Sequence, residues 1–568
     1  MKEVTTNLDI EENLDKEEFV ENMRSFFNKS AKAWQSYISY DFIKEIELSE
    51  TQRKVVNTES SQIIINGSAG SGKSIVLLYK LIKAMIEEKE PQKFLYISYN
   101  QTLIEDTFKR ARMYKEFENL TKKHQVVDIC TFHKFASNML KDLGYSEVQN
   151  IKIDYTNMEK IKGNAYRRIS ALLYKYKENG EFYNRIIDDE KLYKSHDEGF
   201  VRDEILWMKA NGYVTVDLYL DCERVGRGNT PRLIKNQRKT IFKIFEEYSQ
   251  EARERKWTQT NIDLEDYALT LLKKFDEIPE EKKYDYIFID EVQDFDAMQL
   301  KLLAMLTPKS LVMAGDPKQK IYKRAPHSYI NLGIDIKNNS KVLNDNFRST
   351  EEIMNLANSL KFSDFIKDNS KIKYIIKGEK PKIMYFNKWN KALENLGSKI
   401  KKIQDLEPKA TVAIITREED SKAAGNQSDI KQYLGRYCKI MNIEQYGKKF
   451  QFENKKQVIY TDLYNVKGLE FDYVFLLQFD SNHYPSRKEV ESLEKYYIRK
   501  NSDEKESDQD KDILDLLNTE RKRLYVAMSR AKKSLEMFCV METERAISPF
   551  IKDFDKNDYE YCNKIVKR

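Results

Sequence analysis

The stretch Ile63 to Ser74, written IIINGSAGSGKS, constrains the fold more than any other part of the chain. Three β-branched apolar residues lead into a loop almost bare of side chains, Gly67-Ser68-Ala69-Gly70-Ser71-Gly72-Lys73-Ser74. That loop holds three of only 18 glycines in 568 residues. Such crowding means that something comes close to the backbone. A loop of the form G-x-x-x-x-G-K-[ST] turns successive N–H groups inward as a nest for phosphate oxygens, and the helix behind it adds the positive end of its dipole. Lys73 is then expected to reach the β- and γ-phosphates and Ser74 the Mg2+ that accompanies ATP. The flanks match, because Ile63–Ile65 predicts a buried parallel strand and Ile75–Ile82 (IVLLYKLI) an apolar helix.

At about 150 residues per domain, the length predicts three to four domain-sized units. The 98 basic residues nearly balance the 92 acidic ones, leaving a net charge of +6, which permits a nucleic-acid partner without indicating one. Cys130, Cys222, Cys438, Cys539 and Cys562 show no C-x-x-C spacing, so neither a zinc ribbon nor a disulfide framework is suggested. The N-terminus, MKEVTTNLDIEENLD, is acidic and lacks an apolar core, and no run of about 18 apolar residues occurs. A reduced, cytoplasmic protein with no membrane contact is the expectation.

Residues 1–45 read as a helical extension, with Phe19, Met23, Phe26 and Phe27 at helical spacing, and Ser49 in LSETQ as the N-cap of the next helix. Beyond the glycine loop, FLYISYN (94–100) predicts a strand and DICTFHKFA (128–136) a strand running into a helix. The rhythm breaks over 146–262, which reads as a helical insertion carrying the basic stretch RVGRGNTPRLIKNQRK (224–239). It resumes with YDYIFIDEVQD (284–294) and SLVMAGDPKQKIY (310–322), so 46–145 and 263–340 form the two parts of one α/β domain. A second α/β domain is expected over 341–568, with strands KIMYF, TVAIIT, QVIYTDL, DYVFLLQF and SLEMFCV. Within it RKNSDEKESDQDKD (499–512) has no apolar residue and predicts a solvated or disordered loop.

Phosphoryl transfer to water needs a metal ligand, a group that orients the water, and positive charge on the γ-phosphate. Asp290 and Glu291 end the apolar run YIFI, at the strand edge where ligands of parallel sheets bind. Asp290 suits the Mg2+ and Glu291 the water.

In order and spacing, these motifs resemble those of the superfamily I helicases of the UvrD/Rep/PcrA type. LSETQ is similar to their Q motif, GSAGSGKS to motif I, TFHKFA to motif Ic, DEVQD to motif II and GDPKQKIY to motif III. NFRST (346–350) resembles motif IV, VKGLEFD (466–472) motif V, and ERKRLYVAMSRAK (520–532) motif VI. The resemblance covers residues 48–532. It implies two tandem RecA-like P-loop domains closing on ATP, and a motor moving 3′→5′ on single-stranded DNA in repair, recombination or phage defence, RNA not being excluded. It also assigns roles. Gln52 would read the adenine, Phe347 would stack on it where the family has Tyr, and Gln319 would sense the γ-phosphate. Arg348 and Arg530 would be arginine fingers, and Glu470 would lie by the ribose or γ-phosphate. Tyr99, Asn100, Thr131, His133, Tyr322 and Arg324 would line the groove for the strand.

Three departures stand out. About 40 residues separate TVAIIT from Gln457 where the family inserts a second accessory subdomain, so that subdomain is expected to be absent or much reduced. Motif III ends Tyr322-Lys323-Arg324 instead of Tyr-Arg-Trp, and Tyr464 stands where motif V has His. The Tyr resembles the HelD-like branch, which includes factors acting on RNA polymerase. This keeps a second reading open, an ATP-driven conformational switch on a protein partner such as RNA polymerase or a nuclease subunit.

Overall fold

Short apolar runs, many of them followed by a helix, build two parallel sheets whose faces are both covered. The computed structural model describes residues 42–43, 46–99, 101–145, 148, 155–178, 196–222, 233–254, 262–320, 328–363, 372–417, 427–442, 457–463, 466, 469–499, 505–541, 543 and 546–564. The predicted helix around Phe19–Phe27 lies outside them.

The first sheet contains β1 (Gln62–Gly67), β2 (Lys93–Ser98), β3 (Val126–Thr131), β4 (Tyr286–Ile289), β5 (Ser310–Gly315) and β6 (Ser340–Leu343). Its order is β3-β2-β4-β5-β1-β6, all parallel. Around it stand α1 (Glu50–Asn57), α2 (Lys73–Glu87), α3 (Gln101–Met113), α4 (Phe117–Lys123) and α5 (Phe132–Asp142). The insertion contributes α6 (Tyr155–Glu178), α7 (Glu198–Asn211), α8 (Val216–Asp221) and α9 (Lys235–Glu254), and α10 (Glu265–Lys273) and α11 (Ala297–Met305) return to the sheet. Alternate residues of each strand enter opposite cores. Ile63, Ile65 and Tyr96 pack with Val76 and Leu77 of α2, whereas Ile64, Leu95 and Ile97 pack with Phe135 of α5 and Leu300 of α11. Burial on both faces is why these strands read as unbroken apolar runs.

The insertion has its own core of Ile169, Phe200, Trp207, Tyr219 and Phe245. A buried ion cluster ties it to the sheet domain: Lys209 Nζ lies 2.7 Å from Asp263 and 2.8 Å from Asp266, and Arg168 lies 2.5 Å from Asp263.

The second domain contains β7 (Asp345–Asn346), α12 (Glu351–Asn358), β8 (Lys373–Tyr374), β9 (Lys382–Phe386), α13 (Trp389–Leu406), β10 (Val412–Thr416), α14 (Gln427–Leu434) and β11 (Lys439–Asn442). It continues with β12 (Gln457–Asp462), β13 (Phe471–Leu476), α15 (Arg487–Arg499), α16 (Lys505–Met528), β14 (Ala531–Val540) and β15 (Glu560–Lys564). Seven of its strands form a parallel sheet in the order β11-β12-β10-β13-β14-β9-β15, and β7 pairs with β8. The described part of the segment between TVAIIT and Gln457 supplies α14 and the edge strand β11, another helix and strand of the same sheet. No helix among the described residues is long and apolar enough to cross a membrane.

Two expectations need correction. The domain boundary at 340/341 cuts through β6, which pairs with β1 and so leaves the first sheet only after Leu343. The solvated loop over 499–512 is also wrong in its second half, because α16 begins at Lys505. Glu, Lys and Gln are good helix formers, and this stretch has no Gly or Pro to stop a helix that Ile513 and Leu516 anchor against Val490 and Leu493 of α15.

Candidate active site

Strand β1, between β5 and β6, brings the glycine loop to the edge where the other chemistry-bearing residues end. Asn66 is in register with Gly315 and Gly67 with Leu343. Gly70 and Gly72 take the left-handed backbone at φ +85° and +80°, and Gly72 caps α2. The bareness of the loop also has an explanation within the protein. A Cβ on Gly70 would stand 2.7 Å from Cβ of Arg348, and one on Gly72 would stand 2.4 Å from Nε2 of Gln52. Lys73 Nζ donates to the carbonyls of Gly67 and Ser68, each at 3.0 Å. The hydroxyls of Ser68 and Ser71 are buried without a hydrogen-bond partner. Orphaned hydroxyls beside a lysine and a helix N-terminus fit a phosphate, which supplies acceptors and negative charge.

Ser49 and Gln52 form the capping box of α1, as the N-cap expectation required. Gln52 Oε1 accepts from Ser49 N at 2.9 Å, and its Nε2 donates to the Ser71 carbonyl at 3.0 Å. The other end of α1 is closed by Lys80, whose ammonium donates to the carbonyls of Val55, Val56 and Thr58; burial lowers its pKa to about 8.

Asp290 ends β4 with no exposed surface. Its carboxylate accepts from the Tyr96 hydroxyl and from Glu291 N, each at 2.9 Å, and Ser74 is a further donor. Burial, then the neighbouring Glu291, raises its pKa to about 6 against the pull of those donors and of Lys73. A carboxylate beside a serine hydroxyl is an oxygen donor set suited to a hard divalent cation, so Ser74 and Asp290 fit Mg2+. Glu291 sits at φ +52°, a left-handed backbone uncommon outside glycine.

The second domain supplies the cations. Arg530, just past α16, is buried; its guanidinium donates to Gln319 Oε1 at 2.9 Å, to the Val526 carbonyl at 3.0 Å and to Ser529 Oγ at 3.1 Å. Burial, then Arg348, lowers its pKa from the usual arginine value. Arg348 pairs with Glu470 at 2.5 Å. Burial alone would raise the Glu470 carboxyl, but Arg348, Lys532 and Arg530 together hold it below its ordinary value. Phe347 N donates to the Gly70 carbonyl at 3.0 Å, and its side chain is partly exposed. The residues expected at the nucleotide therefore converge, although they come from both sheets.

The expected groove is placed differently. Asn100, Tyr322 and Arg324 lie outside the described residues, as does Tyr464. Tyr99 is 8% exposed, Thr131 2% and His133 0%. Thr131 caps α5 by accepting from Lys134 N, and the His133 ring is packed edge-on against Tyr99, Phe132 and Tyr267. Thr131 and His133 are therefore core residues in this structure, where the expected groove required them at a surface. Two further residues, which no local sequence signal singles out, help to build the site. Asn346 donates to the Ala69 carbonyl at 2.7 Å, and Asp316 accepts from Gln319 Nε2 at 2.8 Å. Both lie inside quoted motifs, which was the only signal available, because their partners are distant in sequence.

Residues 48–331 match the family model of the UvrD/REP helicase N-terminal domain, and 341–430 with 426–542 match that of the UvrD-like helicase C-terminal domain. The chain is 26% identical over 356 residues to the ATP-dependent DNA helicase PcrA of Bacillus subtilis, covering 59% of this chain and 41% of that protein. PcrA of Staphylococcus aureus is 25% identical over 342 residues, covering 57% and 40%. The "Probable DNA helicase II homolog" of Mycoplasma capricolum is 27% identical over 353 residues, covering 58% and 42%. The match thus spans about two fifths of the length of these curated relatives.

Proposed function

The chain belongs to the UvrD-like helicase family, and on that premise we propose that it hydrolyses ATP between its two sheets to move 3′→5′ along single-stranded DNA. The observation that most supports this reading is the reach of Arg530 across the cleft to Gln319, 211 positions away, because a γ-phosphate beside Lys73 is then sensed by both domains. Bound Mg2+, held by Ser74 and Asp290, would offset charge on the β- and γ-phosphate oxygens. Glu291 orients the attacking water and takes its proton. Arg348 and Arg530 turn from Glu470 and Gln319 to the γ-phosphate as charge develops, and their exchange between protein and phosphate acceptors opens and closes the cleft.

The segment of about 40 residues between TVAIIT and Gln457 leaves little chain for a second accessory subdomain to engage duplex; on that reading translocation should exceed unwinding, since unwinding must also offset stacking of about 1.4 kcal/mol per step. The test is the ATPase rate with and without single-stranded DNA, followed by unwinding of duplexes with 3′ or 5′ tails. The expected result is strong stimulation with poor unwinding beyond about 16 nucleotides. A requirement for a 5′ tail would overturn the polarity. The second reading, a switch on a protein partner such as RNA polymerase or a nuclease subunit, draws on the burial of Thr131 and His133. Stimulation by such a protein and not by DNA would establish it instead.

A further inference from the structure

Gln293, two residues beyond Glu291, is 5% exposed and uses both ends of its amide. Nε2 donates to Glu291 Oε2, and Oε1 accepts the backbone N–H of Asp316 at 3.1 Å. The orientation is forced, because a backbone N–H can only donate; Oε1 must face it, which leaves Nε2 for the carboxylate. Gly315 makes room for this arrangement, since a Cβ there would stand 2.4 Å from Gln293 Oε1 and 2.8 Å from Val292 Cγ1. Asp316 in turn accepts from Lys318 N at 3.0 Å and from Gln319 Nε2 at 2.8 Å, and Gln319 accepts from Arg530. A continuous run of bonds therefore links Glu291, at the end of β4, to an arginine of the other domain.

We propose that Gln293 is a positioning residue that transmits the state of the 316–319 loop to the Glu291 carboxylate, so that hydrolysis follows the movement of that loop. The proposal rests on the reading of this site as a strand-stimulated ATPase. A carboxylate on a flexible side chain aligns a water only while something holds it. A neutral amide bonded to the loop backbone holds it in one loop position and releases it in another.

The test compares the intact wild-type chain with Gln293→Leu, Gln293→Glu and Gly315→Ala. It measures affinity for a non-hydrolysable ATP analogue, kcat, KM, thermal midpoint and the ratio of rates with and without oligo(dT). Gln293→Leu is expected to keep analogue affinity and KM, stay folded with at most a small drop in thermal midpoint from the unmet Asp316 N–H, lose about 10- to 100-fold in kcat, and lose the stimulation ratio. Gln293→Glu keeps the acceptor for Asp316 N–H but sets a second carboxylate against Glu291, so it should be slower still. Gly315→Ala displaces the amide with its chemistry intact and should reproduce the loss of stimulation. Wild-type kcat and full stimulation in Gln293→Leu, or wild-type kcat in Gln293→Glu, would overturn the proposal alone. A wild-type chain that hydrolyses no ATP would overturn the parent reading, and this proposal with it.

Discussion

Lys73 is held by two carbonyls of its own loop, so its charge is stabilised locally and available to a phosphate that displaces them. Lys73→Ala should abolish ATP hydrolysis while leaving the fold and thermal midpoint intact, because the backbone nest remains; retained hydrolysis in a pure sample would contradict the phosphate-loop assignment. The arginines differ in kind. Arg348 is paired with Glu470 and Arg530 with Gln319, partners they would exchange for the γ-phosphate only as charge develops there, so their truncation removes transition-state charge and spares binding. Arg348→Ala and Arg530→Ala should each slow turnover by roughly 10³-fold with analogue affinity largely kept. Loss of affinity alone would show that the role is misassigned.

At the scale of an element, α16 matters most, since it carries Tyr525 and leads into Arg530. It is anchored by Glu520, fully buried, which pairs with Arg417 at the end of β10 and with Arg523, and accepts from Ser486 N at 3.0 Å. Burial would raise the Glu520 carboxyl, but the two arginines win and hold its pKa at about 2. Its folded value is depressed below the unfolded value of about 4.3, so its contribution to stability is present above about pH 4.3 and is lost as pH falls towards 2. Acid unfolding followed by circular dichroism should therefore steepen in that window, and Glu520→Gln should flatten it. The same variant takes the buried carboxylate away from two guanidinium groups, leaving Arg417 with the His483 carbonyl and Arg523 with Glu489, and a loss of about 1–3 kcal/mol at neutral pH is expected in denaturant titrations. An unchanged acid limb would mean that α16 is held by something else.

Across the whole molecule, the two sheets meet at the glycine loop. Asn346 and Phe347 bond to the carbonyls of Ala69 and Gly70, and Gly70 leaves room for Arg348. Gly70→Ala should hold the domains apart, because its Cβ would lie 2.7 Å from Arg348 and 2.9 Å from Asn346 at a backbone angle that favours glycine. Since a displacement of about 1 Å at reacting groups can cost 10²-fold in rate, hydrolysis is expected to fall by that order while each domain stays folded by calorimetry. Near-normal turnover would show that closure does not require this approach.

The strands KIMYF and TVAIIT, the loop, and the carboxylates ending YIFI were legible in the sequence because their signals are local: apolar runs, a cluster of glycines, acids at a strand end. The resemblance of the motifs led to the expectation that Gln52, Arg348 and Arg530 converge, and Gln52 and Arg348 do lie against the glycine loop with Arg530 beside Arg348. What the sequence left open depends on neighbours far along the chain. β6 looks like the start of the second domain until its pairing with β1 assigns it to the first. His133 looks like a surface ligand until Tyr99, Phe132 and Tyr267 enclose it. The bonds from Gln293 to Asp316 and from Gln319 to Arg530 join residues 23 and 211 positions apart. Local chemistry alone determined which groups this protein holds; only tertiary packing, by settling which buried donors and acceptors must satisfy one another, decided how they are connected.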